Sequence, residues 1–248
     1  MNFLFLGTGT STGVPQIGCH CKVCNSKDKK NHRLRASVMI TEYNTRLLID
    51  SGPDLRLQLL NNNIDWLSGV LLSHEHYDHI GGLDDIRPLG NMPVYAEQRV
   101  LDVIKQNMPY CFNEKNYPGV PKINLNVIDE NSFEINHINI QPIRVMHAHL
   151  PILGFRIGKA AYLTDIKTLD ERAIEQLSGL DLLIINALRI EPHISHLSLK
   201  ESIILAQIID ARQTFFTHIS HDMGLHDEIN ASLPPRIRLS YDGLSYDL

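Results

Sequence analysis

The stretch Leu71-Leu72-Ser73-His74-Glu75-His76-Tyr77-Asp78-His79-Ile80-Gly81-Gly82 constrains this chain more than any other. Four metal-competent side chains, His74, His76, Asp78 and His79, fall within six residues, directly after the apolar run Gly69-Val70-Leu71-Leu72. Such a run ends a buried strand, and in an extended segment residues two apart share a face. His74 and His76 can therefore reach one ion together. Asp78 and His79 are adjacent, so where the chain turns into the next helix they can face a second ion. A lone histidine is ordinarily a core or surface residue. Donors spaced H-x-H-x-D-H after a strand mark a metal site.

The rest of the chain can house such a site. It has 248 residues, 43% hydrophobic and 21% charged, a globular composition long enough for a sizeable core. Alternating β and α patterns continue without a Gly/Ser-rich linker, which predicts one domain over residues 1–248. Val38–Ile40, Leu47–Ile49, Val70–Leu72, Val94–Tyr95, Leu182–Ile185 and Thr214–Thr217 are expected as strands. Leu169–Leu177 and Leu199–Ile209 have the spacing of amphipathic helices. The run Asn2-Phe3-Leu4-Phe5-Leu6 is too short for a signal-peptide core and lacks a basic leader. Nothing approaches a membrane span, so a soluble cytoplasmic protein is expected. The net charge of −5 argues against duplex nucleic acid as a partner. Lys27, Lys29, Lys30, Arg33 and Arg35 form a local basic cluster, either a solvated loop or a guide for an anionic substrate.

Cys19, Cys21 and Cys24 form C-x-C-x-x-C in a Gly-flanked loop, while Cys111 stands alone. In a reducing compartment, close-set cysteines more often mark a metal or redox site than a disulfide. Three thiolates suit tetrahedral zinc, which then needs a fourth ligand from elsewhere. An unligated loop stays open as the other reading.

The H-x-H-x-D-H motif after a buried strand resembles the metallo-β-lactamase superfamily, whose further motifs follow here in order. Asp50 closes Leu47-Leu48-Ile49 and heads Ser51-Gly52; His147 lies in Val145-Met146-His147-Ala148-His149-Leu150-Pro151. Asp165 ends Tyr162-Leu163-Thr164-Asp165, and His218 lies in Phe215-Phe216-Thr217-His218-Ile219-Ser220-His221. The resemblance implies an α/β fold, an αββα sandwich of two packed mixed β-sheets flanked by helices, with the metal site at one edge. It implies that His74, His76 and His147 hold one ion, that Asp78, His79 and His218 hold another, and that Asp165 bridges them. Asp50 would orient the histidine loop by hydrogen bonds. His149 competes with His147, but Leu150-Pro151 and Gly154-Phe155 keep the family spacing and favour His147. Imidazole and carboxylate ligands suit Mn2+ or Zn2+ alike. Asp84 and Asp85 are read as ordinary helix-start carboxylates.

The cysteine loop, at about residues 18–25, resembles a subgroup: the cyclic-phosphate phosphodiesterases of the carbon–phosphorus lyase pathway. Gly7-Thr8-Gly9-Thr10-Ser11 and Ser240-Tyr241-Asp242-Gly243 are similar to it too. The resemblance implies a structural Zn2+ on Cys19, Cys21, Cys24 and His221, besides two divalent catalytic metals. His196, ahead of a predicted helix, is similar to the subgroup's additional active-site histidine beside the departing oxygen. A histidine can protonate an alkoxide near neutral pH. His196 and the ligand Asp78 are thus the expected catalytic residues. His193 matches less well, and His20, His32, His137 and His226 have no motif.

The implied activity is hydrolysis of a small anionic phosphodiester, of the ribose 1,2-cyclic phosphate or 2′,3′-cyclic nucleotide type. Alternatives are a tRNA 3′-processing nuclease, a thioesterase, a lactonase, or a non-hydrolytic carrier like the pyrroloquinoline quinone biosynthesis relative, which has a similar cysteine loop. No long arm for gripping tRNA is evident. A homodimer stays open. Met108–Phe112 through Tyr117-Pro118-Gly119-Val120-Pro121 is either a loop over the site or an ordinary surface loop.

Overall fold

The computed structural model describes residues 1–112 and 119–248. Tyr117 and Pro118 of the candidate loop thus lie outside the described residues. In chain order come β1 (Asn2–Gly7), β2 (Ser37–Glu42), β3 (Thr45–Ile49), β4 (Gly69–Leu71), β5 (Asn91–Ala96) and β6 (Lys122–Val127). Then follow β7 (Phe133–Ile135), β8 (Ile138–His147), β9 (Leu150–Ile157) and β10 (Ala160–Leu163). The last strands are β11 (Leu182–Asn186), β12 (Gln213–Thr217), β13 (Ile237–Leu239) and β14 (Ser245–Asp247). The helices are α1 (Leu55–Asn61), α2 (Tyr77–Ile80), α3 (Gln98–Asn107), α4 (Glu171–Gln176), α5 (Leu199–Ile209) and α6 (His226–Ser232).

Among the described residues the strands form two seven-stranded sheets, ordered β14-β1-β2-β3-β4-β5-β6 and β13-β12-β11-β10-β9-β8-β7. Each is mixed: β3 to β6 and β10 to β13 run parallel, while β1 to β3 and β7 to β10 pair antiparallel. The period of two in a strand makes the layers. Leu47 and Ile49 of β3 face Leu182 and Ile184 of β11 between the sheets, in a core with Phe5, Phe155 and Tyr162. Leu48 points the other way, into a layer with Leu55, Leu59, Val100 and Ile104 of α1 and α3. Leu183 and Ile185 likewise meet Ala173 of α4 and Ala206 and Ile209 of α5. The αββα sandwich expected from the sequence is what forms.

The predicted strands fall on β2, β3, β4, β5, β11 and β12, with Leu72 one residue beyond β4. The helix predicted over Leu169–Leu177 is the shorter α4, because Asp170 caps it by accepting from the Ala173 N–H at 2.7 Å. α5 has its predicted bounds, set by a capping box in which Ser198 and Glu201 bond each other's backbone. The basic cluster is not one patch. Arg33 is buried, Arg35 pairs with Asp54 at 3.0 Å and Lys30 with Asp227 at 2.9 Å. No helix among the described residues is long and apolar enough to cross a membrane.

Chemistry-bearing residues collect where strands end on one edge of the sandwich. Asp50 follows β3, His74 follows β4, His147 ends β8, Asp165 follows β10 and His218 follows β12. Asp50, Asp165 and His218 each take a left-handed backbone, with φ of 62°, 56° and 55°. For non-glycine residues this is a strained conformation of the kind found at functional sites. Gly52 lets the α2 turn come close: a Cβ there would meet the Asp78 carbonyl oxygen at 2.1 Å.

Candidate metal centre

His74 and His76 lie in the loop three and five residues past β4, and the second sheet supplies His147 from the end of β8. One donor atom from each lies within 4.8 Å of the others. Asp78 and His79 sit on the single turn α2, and with Asp165 and His218 they form a second set within the same limit. Asp165 also belongs to a set with His147 and His196. It therefore stands between the two groups. Its Oδ2 lies 3.2 Å from His79 Nε2, and its Oδ1 lies 3.1 Å from His218 Nε2. His149 is exposed and outside these sets.

Hydrogen bonds behind the rings decide which nitrogen each presents. His147 Nδ1 donates to the Ser195 carbonyl at 2.9 Å, and His79 Nδ1 donates to Asp50 Oδ2 at 2.8 Å. Ser73 Oγ donates to Asp50 Oδ2 at 2.9 Å and accepts from His74 Nδ1 at 2.9 Å. Each of these rings then turns Nε2 toward the cluster, the usual way a histidine is prepared for a metal. The sequence expectation for Asp50 matches this placement. Ser73 and Ser195 carry no local signature in the sequence, one acting through a hydroxyl just before the motif and the other through a carbonyl from a distant loop.

Charge in the cluster is lopsided. Burial would raise the Asp165 carboxyl, yet His218 and His79 outweigh it and hold its pKa well below the usual value. Burial also works against the charge on His79, but Asp165, Asp50 and Asp78 hold that imidazolium well above its ordinary pKa. Asp78 is lowered despite burial, chiefly by His79. His74 is pushed well below 6.5 by burial and by His79. Burial pushes His196 down to about 3, only partly offset by Asp165, so this imidazole is neutral at neutral pH. Among the described residues, His79 Nε2, His196 Nδ1 and both ring nitrogens of His218 are buried without a hydrogen-bond partner. Buried polar atoms ordinarily find partners. Ionised carboxylates around orphaned imidazole nitrogens are a donor set that divalent cations satisfy, so the residues fit such ions.

The cysteine loop forms a separate set. Cys19, Cys21, Cys24 and His221 bring one donor each within 4.8 Å, with His221 Nδ1 at 3.4 Å from Cys19 Sγ and 3.5 Å from Cys21 Sγ. The Cys24 backbone N–H, 3.4 Å from Cys21 Sγ, is the chief cause that lowers the Cys21 thiol to about 6. Burial pushes Cys24 up to about 11. Val14, Val23 and Leu225 wrap the cluster in apolar surface. His196 lies over the two histidine–carboxylate sets, its ring centroid 4.6 Å from that of His147 and 5.0 Å from that of His218. His193 is 5.2 Å from His196 and bonds Ser195. Asp84 pairs with Arg87 and Tyr110 on the surface.

Residues 45–219 match the family profile described as Beta-lactamase superfamily domain. The chain belongs to the β-lactamase superfamily. Within it, the chain is similar to a solved structure described as a new diphosphatase from the PhnP family, at 39% identity and a TM-score of 0.93 over 99% of this chain and 96% of that one. It is also similar to a Porphyromonas gingivalis protein described as an octanoyltransferase, 44% identical over 250 residues, covering 98% of this chain and 51% of the relative. The chain spans about half the length of the curated relatives it matches. Its fold is shared with Zn(2+)-bound PqqB from Methylobacterium extorquens, at 20% identity and a TM-score of 0.82 over the whole of both chains. The sandwich described above is thus the metallo-β-lactamase fold of that superfamily.

Proposed function

We propose that this chain hydrolyses a small phosphodiester with the help of two divalent cations. The observation that carries the reading is Asp165, one buried carboxylate within reach of both donor sets. His74, His76 and His147 would hold one cation, Asp78, His79 and His218 the other, and Asp165 would touch both. The donor chemistry suits Mn2+ and Zn2+ equally. When bound, such a pair supplies Lewis acidity toward a phosphoryl oxygen and a nucleophile at neutral pH. Cys19, Cys21, Cys24 and His221 would hold a structural Zn2+ apart from the chemistry.

The chain's own residues prepare the site. Asp50 and the Ser195 carbonyl fix ring orientation before substrate arrives, so that donors need no rearrangement. His196 is assigned to the departing oxygen. Being neutral, it serves as a hydrogen-bond donor through its ring N–H, where the sequence alone suggested an imidazolium acid. The diphosphatase relative, alike over nearly its whole length, supports chemistry at phosphorus. A cyclic ribose phosphate or 2′,3′-cyclic nucleotide remains the substrate we assign.

A second reading follows from the relative described as an octanoyltransferase, which matches 98% of this chain. Under it, the same centre would cleave an acyl thioester. Metal-reconstituted protein should be tested against ribose cyclic phosphates, 2′,3′-cyclic nucleotides, a nucleoside diphosphate ester and an octanoyl thioester, with Asp165→Ala alongside. We expect phosphodiester turnover that falls at least about 100-fold in the variant, with unchanged circular dichroism. Turnover of the thioester alone would replace the first reading by the second.

A further inference from the structure

Between the ligand candidates His74 and His76 stands Glu75, whose carboxylate turns away from the cluster. It accepts a hydrogen bond from Arg99 Nη1, in the first turn of α3. The same guanidinium donates through Nη2 to the Pro151 carbonyl at 2.6 Å. Pro151 lies on β9 beside Leu150, the residue that pairs with His147 across the β8–β9 hairpin. Arg99 thus grips the loop that brings two donors of the first set from one sheet and the hairpin that brings the third from the other.

The grip is itself braced. Arg99 Nη2 lies 3.4 Å from Glu97, and Glu97 accepts two hydrogen bonds from Arg144 of β8, at 2.6 and 3.0 Å. Arg144 reaches Glu130 at 3.1 Å, and Glu130 faces Arg172 of α4 at 3.6 Å. Signs alternate along the whole chain of contacts, which crosses from one sheet to the other. Glu75 and Glu97 have side chains only 19% exposed and Arg99 34%, so these pairs are shielded more than ordinary surface pairs. A planar guanidinium can serve two acceptors at fixed angles, which an ammonium cannot. The second donor set has a different support, since His79 is oriented by Asp50.

We propose that Arg99 is a positioning residue for the His74–His76–His147 set, holding loop and hairpin at the separation that set needs. This rests on the two-cation reading above. Residues behind metal ligands typically set affinity by about 10–100-fold. Cobalt(II) titration, followed by visible absorption with chelator competition, reads the two catalytic ions apart from an ion in the cysteine set, whose thiolates add a charge-transfer band of their own. Arg99→Gln should weaken one ion at least about tenfold and leave the other near its wild-type affinity. Arg99→Lys should recover only part of the loss, and adding Glu75→Gln to Arg99→Gln should cost little more. Should Arg99→Gln fold poorly, Arg99→Lys alone carries the comparison, with selective weakening expected. Equal weakening of both ions in the folded variants would mean general loosening and overturn the proposal. Loss of one ion in His74→Ala, with Arg99→Gln binding as wild type, overturns it alone. Both ions still bound as in wild type in His74→Ala overturns the His74–His76–His147 assignment on which this inference rests, and the inference with it.

Discussion

Both oxygens of the Asp50 carboxylate are committed inside the protein. Oδ1 accepts from the Ser73 N–H at 2.8 Å, while Oδ2 accepts from Ser73 Oγ and from His79. Through these bonds one side chain sets the tautomer of His79 directly and of His74 by way of Ser73. It therefore prepares a donor in each set. His196 is the residue whose role is most sharply testable. A cyclic ribose phosphate expels an alkoxide that needs a donor, whereas p-nitrophenolate leaves unaided. Removing one such donor costs about 10²–10³-fold. His196→Ala should lose that much on the cyclic phosphate and little on bis-p-nitrophenyl phosphate, with metal content unchanged. Equal large losses on both would instead assign His196 to organising the metals, and no loss on either would leave it without a role. Measuring kcat for the two esters in wild type and variant separates these outcomes.

At the scale of elements, the short run after β12 joins the two candidate metal clusters. His218 closes the strand, and His221, three residues on, faces the cysteines. Between them, Ile219 donates to the Thr8 carbonyl at 2.9 Å and accepts from the Thr10 N–H at 3.1 Å. The N-terminal loop is thereby fastened to the segment that presents His218. Zinc in the cysteine set would act on folding, because metal-binding free energy in such a loop is folding free energy. Cys21→Ser should lower the melting temperature by on the order of 5–10 °C, while the catalytic ions bind nearly as before. X-ray absorption that finds only nitrogen and oxygen around bound zinc would dismiss the cysteine site.

For the whole molecule, a buried polar knot ties the N-terminal loop to α6 and to the C-terminal end. Arg33 donates to Thr8 Oγ1 at 2.8 Å, to the Ser240 carbonyl at 2.7 Å and to His226 Nδ1 at 3.0 Å. His226 must keep that lone pair, and burial together with Arg33 lowers its pKa from 6.5 to about 4. Unfolded, it takes up a proton below about 6.5, so between there and about 4 the unfolded chain binds more protons and stability falls as pH falls. Asp242 works the other way. Burial raises it to about 6, so as pH falls through that value the folded carboxyl gains a proton before the unfolded one does, and stability rises. His226→Gln keeps an acceptor for Arg33 and removes only the first effect. Denaturant unfolding from pH 6.5 to 4 should show the variant gaining on wild type by up to about 3 kcal/mol, at about 1.4 kcal/mol per pKa unit. Parallel stability curves would show that His226 does not titrate differently on folding.

Local patterns carried much of this protein in the sequence. β3, β4, β11 and β12 are buried on both faces, so they read as unbroken apolar runs such as Leu47-Leu48-Ile49. α5 was legible because Leu199–Ile209 has amphipathic spacing, and the Ser198–Glu201 capping box found in the structure sets its start. His74, His76, Asp78 and His79 lie within one short loop, so neighbours in sequence are neighbours in space. By contrast β7 is three residues long and carries no strong period, and β6 alternates Ile123, Leu125 and Val127 with asparagines but has no fully buried residue to mark a core face. Nothing near Arg99 announces that it meets Glu75 and Pro151, and His226, without a motif, meets Arg33 from 193 residues away. Those contacts exist only after two sheets have docked face to face. Periodicity, capping and ligand spacing are written along the chain, whereas a carboxylate's partner is whichever cation the tertiary fold brings beside it, as Glu97 meets Arg144 across the two sheets.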